Sequence, residues 1–86
     1  MDYQVGDFVH YNRYPETSDI IWRILSLHPM MHKTPNEALV ELYYNPHRVN
    51  WRAYHFRVVM EKPLFDLDRL TPANAMLVLA LSARDE

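Results

Sequence analysis

The chain has 86 residues, 49% of them hydrophobic and 13% aromatic, with a formal net charge of −2 and no cysteine. That length makes a single domain whose one core is only just sufficient, and large rings help because each buries much area. The missing thiols exclude a disulfide framework and thiolate chemistry, and the acidic balance argues against a chain built mainly to grip nucleic acid.

Four apolar-rich runs with a two-residue period occupy Phe8–Tyr11, Ile20–His28, Ala38–Tyr44 and Trp51–Met60. Alternation of that kind predicts strands with one buried face. Gly6, the sole glycine, makes with Val5 and Asp7 a turn into the first strand. Asn12–Asp19, with Pro15 and Ser18, reads as a polar loop. In the second run Ile20, Trp22, Ile24 and Ser26 share one face, and Ile21, Arg23, Leu25 and Leu27 the other. Pro29–Asn36 predicts a second loop, since prolines near both ends cannot donate to a ladder. The third run turns Ala38, Val40, Leu42 and Tyr44 inward and Leu39, Glu41 and Tyr43 outward. Asn45-Pro46-His47 has turn chemistry. Ala38–Met60 is therefore expected to be a hairpin whose second arm buries Tyr54, Phe56, Val58 and Met60. Lys62-Pro63 ends it, and Leu64–Leu67 gives a short edge strand or turn.

Thr71-Pro72 is a specific helix start, because the hydroxyl accepts an orphan amide and proline suits the first helical position. The helix is expected over Pro72–Ala83, with a strand over Met76–Ser82 as the alternative. On a helical projection Ala73, Met76, Leu77, Ala80 and Leu81 form the docking face, leaving Val78 and Leu79 without a surface. Those two then lie either in a fold of the domain itself or in a contact with a partner or a second copy.

Catalytic constellations are weak. His28-Pro29-Met30-Met31-His32 pairs two imidazoles with two thioethers, a set that suits copper(I), but its prolines place it in a loop with no third ligand nearby. Asp66-x-Asp68 sets two carboxylates on one side of an extended segment. Acids before a helix start are explained as well by its dipole. A single glycine leaves no phosphate-cradling loop, and no serine has a nucleophile-elbow context. No enzymatic activity, cofactor or metal site is expected.

The charge is unevenly spread. Leu42–Met60 holds Arg48, Arg52 and Arg57 and no Asp or Glu, while the other six basic residues face all eleven acids. Tyr43, Tyr44, His47, Trp51 and Tyr54 interleave with those arginines. Such a surface anchors a protein, because Tyr, Trp and Arg dominate hot spots, or stacks on single-stranded bases while pairing phosphates. Three phosphate contacts give a salt slope of only about −2 to −3, so nucleic-acid binding by this route is weak. Plain core and rim roles for the same residues are the third reading.

Val5-Gly6-Asp7-Phe8-Val9, the strand through Trp22-Arg23-Ile24-Leu25, a hairpin, and Leu67-Asp68-Arg69-Leu70-Thr71-Pro72 together resemble small SH3-like barrels of the KOW type. In those a hydrophobic-Gly-Asp turn opens the first strand and a Leu-x-x-Leu-x-Pro turn closes the last. The resemblance covers about residues 3–72 and implies a binding module. A short, compact, cysteine-free chain also looks like small phage-encoded proteins that bind and inhibit a host enzyme. The expected fold is thus mainly β within α+β: an SH3-like antiparallel barrel of about five strands over 3–70 and a C-terminal helix over 72–83, in one domain.

The expected function is a non-enzymatic protein-binding module, a small regulator or inhibitor of a larger machine. Its expected contact residues are Tyr43, His47, Arg48, Trp51, Arg52 and Arg57, with Val78 and Leu79 on the helix. A weak single-strand nucleic-acid binder using the same residues is the alternative. Met1–Val5 has no basic stretch leading into an apolar run, and the longest apolar stretch, Ala75–Leu81, is too short for a bilayer. A cytoplasmic location without membrane contact is expected.

Overall fold

A computed structural model describes residues 3–29, 35–47 and 58–84. Five antiparallel strands form one sheet: β1 (Phe8–Tyr11), β2 (Ile21–Pro29), β3 (Pro35–Tyr44), β4 (Val59–Pro63) and β5 (Leu67–Arg69). Among the described residues one α-helix, α1 (Pro72–Arg84), follows, and two 3-10 turns occupy Pro15–Thr17 and Leu64–Asp66. The mainly β, α+β expectation is met.

The spatial order is β4-β3-β2-β1-β5, so the last two strands lie on opposite edges. In a flat sheet of this kind those edges stand about 19 Å apart. Only Leu64–Asp66 separate Pro63 from Leu67, and four chain steps span at most about 14 Å. The sheet must therefore curl. Consistent with that, Lys62 Nζ of β4 lies 4.4 Å from the ring centroid of Tyr11 on β1.

The inside of the curl holds Val9, Ile24, Ala38, Val40 and Leu67, all essentially solvent-free, with Tyr3, Tyr11, Trp22, Leu27 and Leu64 packed around them. At the strand opening Gly6 takes φ +95°, a conformation that favours glycine. Its amide donates to the Ile24 carbonyl at 2.8 Å, and Asp7 N–H donates to the Gln4 carbonyl at 3.0 Å. The Tyr3 hydroxyl donates to the Leu67 carbonyl, fastening the N-terminal segment to β5.

Strict alternation fails at three places, one of them between His28↔Glu37 and Pro29↔Pro35, where Asn36 is the extra residue. Ile24 pairs with Val40 and Ser26 with Leu39, so Leu25 is one residue too many on β2. A bulge of that kind reverses which side chains face inward. Leu27, opposite Ala38, consequently packs on the core together with Ile24, although alternation sets the two on opposite faces. Between Ile21↔Tyr44 and Trp22↔Leu42 the extra residue is Tyr43.

Other boundaries also move. The strands flanking the second loop run to Pro29 and Pro35, which pair where the ladder begins, a position that tolerates a missing N–H. β4 extends to Pro63, past the expected end at Met60, because β3 continues to pair with it through Glu37. The arm before residue 58, with Tyr54 and Phe56, lies outside the described residues. Glu41 was expected outward into solvent but is only 8% exposed. Among the described residues no helix is long and apolar enough to cross a membrane.

Candidate functional site

Helix α1 is fixed at its start by its own sequence. Thr71 Oγ1 accepts the Asn74 amide at 3.3 Å, and Ala75 N–H donates to the Thr71 carbonyl at 2.9 Å. Asn74 Nδ2 donates to the Ser18 carbonyl at 3.1 Å, so a polar side chain sets which face turns toward the sheet. That face carries Asn74, Leu77, Val78 and Leu81, at the i, i+3, i+4, i+7 spacing of one helix side.

The expected docking face is thereby corrected. Val78 is 7% exposed and packs mostly within the domain. Ala73, Met76 and Ala80, expected inside, lie outside, with Met76 69% exposed. Leu79 remains outward at 68%. The physical reason is that a helix apolar all round has no face defined by hydrophobicity alone. The Asn74–Ser18 bond lies on the face that also buries Val78 and Leu81.

Beside the helix runs an open apolar cleft of about 400 Å³, lined by Phe8, Leu70, Ala75, Val78 and Leu79. Its sheet side is held by Tyr43. The Tyr43 ring meets Phe8 edge-on, with centroids 4.8 Å apart at 68°. The Tyr43 hydroxyl lies 3.3 Å from Ser82 Oγ in the last helical turn. A strand bulge, which re-aims side chains, thus gives Tyr43 a bridging position between sheet and helix. Arg23 contributes its guanidinium carbon 5.5 Å from the Phe8 ring centroid.

Comparison with protein-family models, with curated proteins and with solved structures returns no match.

Among the other sequence candidates, His47 is exposed at the end of the turn after β3. Its amide donates to Asn45 Oδ1 at 3.0 Å, and its Nε2 lies 2.9 Å from Asp19 Oδ1. The loop containing Ser18 and Asp19 is therefore tied both to the helix start and to this turn. Arg48, Trp51, Arg52 and Arg57 lie outside the described residues. Asp66 and Asp68 do not act as a pair on one extended segment. Asp66 closes a 3-10 turn and is buried near Arg13 (3.9 Å), whereas Asp68 lies exposed on β5. Among the described residues no three His, Cys, Asp or Glu side chains come together as metal ligands.

Phe8, Leu70, Ala75 and Met76 were not foreseen as site residues. Phe8 is distant in sequence from the helix and only the fold brings it there, whereas Leu70 stands two residues before Pro72. Met76 was readable in principle: it stands three residues before Leu79, on the same side of a helix.

Proposed function

We propose that this chain is a non-enzymatic protein-binding module, a small cytoplasmic regulator or inhibitor of a larger machine. The observation that carries the reading is the continuous apolar surface made by the cleft and the exposed Met76 and Leu79. Exposed large side chains grouped beside a cleft are a common mark of protein contact sites. The cleft walls include no charged side chain, so they suit an apolar anchor from a partner and offer little to a phosphate. The SH3-like resemblance, itself a reading of sequence motifs, points the same way. The segment with Arg48, Trp51, Arg52 and Arg57 belongs to the proposal on its composition, as the rim that orients a partner.

Capture of binding proteins by the purified, tagged chain tests this. Leu79→Glu, which sets a charge at the cleft edge, is expected to abolish specific capture. The triple change Arg48→Ala, Trp51→Ala and Arg52→Ala is expected to weaken it at least tenfold. Capture unchanged in both variants would refute the reading.

A further inference from the structure

On the helix side of the sheet the ladder sets three unlike side chains in one row. Phe8 of β1 pairs with Arg23 of β2. One step beyond the last β1–β5 pair, Val9↔Arg69, Leu70 stands opposite Phe8. Opposite residues of a ladder share a face, and neighbouring strands lie about 4.8 Å apart, so Leu70, Phe8 and Arg23 follow one another over about 10 Å. Leu70 and Phe8 line the cleft of about 400 Å³, whose other wall is Ala75, Val78 and Leu79 of α1. Arg23 comes next in the row, at the lip, with its guanidinium carbon 5.5 Å from the Phe8 ring centroid. An apolar floor therefore ends in a cation.

We propose that the cleft and Arg23 form a binding site for a small amphiphilic carboxylate. Its alkyl chain lies over Leu70 and Phe8 against α1, and its carboxylate meets the Arg23 guanidinium. The proposal goes beyond the protein-binding reading, because a free ligand needs no partner chain; the two occupants share the cleft and compete for it.

Each half of the ligand follows from one half of the site. The cleft has the size of a small-molecule pocket and walls without a charged side chain, which select a hydrocarbon tail. The head is selected by charge. Arg23 is exposed, and among the described residues no carboxylate is ion-paired with it. Asp7, in the turn before β1, pairs with Arg69 at 3.6 Å instead. Glu41, opposite Arg23 on β3, is buried, which leaves the guanidinium as the exposed charge of the row. Its contact with the Phe8 ring holds that charge beside the cleft. A planar guanidinium matches the two oxygens of a carboxylate, and one cation balances one negative charge.

Titration of the purified full chain with sodium octanoate, followed by amide proton–nitrogen shifts, tests it. The cleft is open and the ligand small, so saturable binding with Kd on the order of 1 mM is expected. The largest shifts should fall at Phe8, Leu70 and Leu79. Each methylene added between butanoate and octanoate tightens binding by up to about fourfold. Octylamine, with the same tail and opposite charge, binds at least about tenfold more weakly. Arg23→Gln weakens octanoate binding about tenfold and leaves 1-octanol binding unchanged, which also shows that the variant is folded. Absence of saturable shifts well above the expected Kd overturns the proposal, as does an affinity indifferent to head charge and to Arg23→Gln. If octanoate does not bind but partner capture still depends on Leu79, the ligand site fails and the protein-binding reading stands.

Discussion

Gly6 shows how one residue is constrained by backbone alone. Its φ of +95° is costly for a side-chain-bearing residue, yet an added Cβ meets nothing nearer than an Arg23 nitrogen at 3.9 Å. Gly6→Ala should therefore cost about 1–2 kcal/mol from conformation without a clash, measured by urea unfolding. Ile24 is constrained by volume. Its side chain is sealed in the curl, so Ile24→Ala should lose about 2–5 kcal/mol. A chain of 86 residues has roughly 4–13 kcal/mol in total, so that variant is expected to be partly unfolded at 37 °C. Tyr3 is constrained by charge. Burial first, then Asp68 and Asp7, raise its phenol above the ordinary 10.0, with Arg69 opposing. Above pH 10 the unfolded chain releases that proton while the folded one retains it, so stability falls as pH rises through this window. A difference titration of phenolate absorbance between the native chain and Tyr3→Phe should show a midpoint above 10.0; a midpoint at or below it would contradict the assignment.

At the scale of elements, strands and helix differ in how much of them is readable from sequence. β1, β2 and β3 follow from alternation, and α1 follows from Thr71-Pro72 and the apolar run after it. What alternation does not reveal is a bulge. Leu25 is an ordinary strand residue in type, and only pairing across β2 and β3 shows it to be supernumerary. Beyond it the two faces exchange, which sets Leu27 on the core with Ile24. The helix face was illegible for a different reason. Leucine, methionine, valine and alanine occur on all sides of α1, and the buried face is the one on which Asn74 also bonds to a loop 56 residues earlier. Breaking that bond is a test at this scale. Asn74→Ala should cost about 1 kcal/mol and loosen the helix from the sheet, seen as faster amide exchange in α1 than in β2. Val78→Ala should cost about 2 kcal/mol, because it removes buried methyl groups.

For the whole molecule, curling the sheet brings distant segments together. It joins opposite edges through Leu64–Asp66 and leaves the outside of β1 and β3 for α1 to cover. Phe8 becomes a neighbour of Leu79 only through the fold, which is why the cleft could not be read from spacing. An apolar side of the helix faces outward through Met76 and Leu79, while Val78 is buried. Arg48, Trp51, Arg52 and Arg57 keep the role that their composition suggests, as part of the proposal. The outer side of α1, proposed above for contacts between molecules, should contribute little to folding. Urea unfolding of Leu79→Glu in dilute solution tests it most directly. A stability within about 0.5 kcal/mol of the native chain is predicted, as for a surface site. A loss of about 2 kcal/mol or more would place Leu79 in the fold and contradict the account.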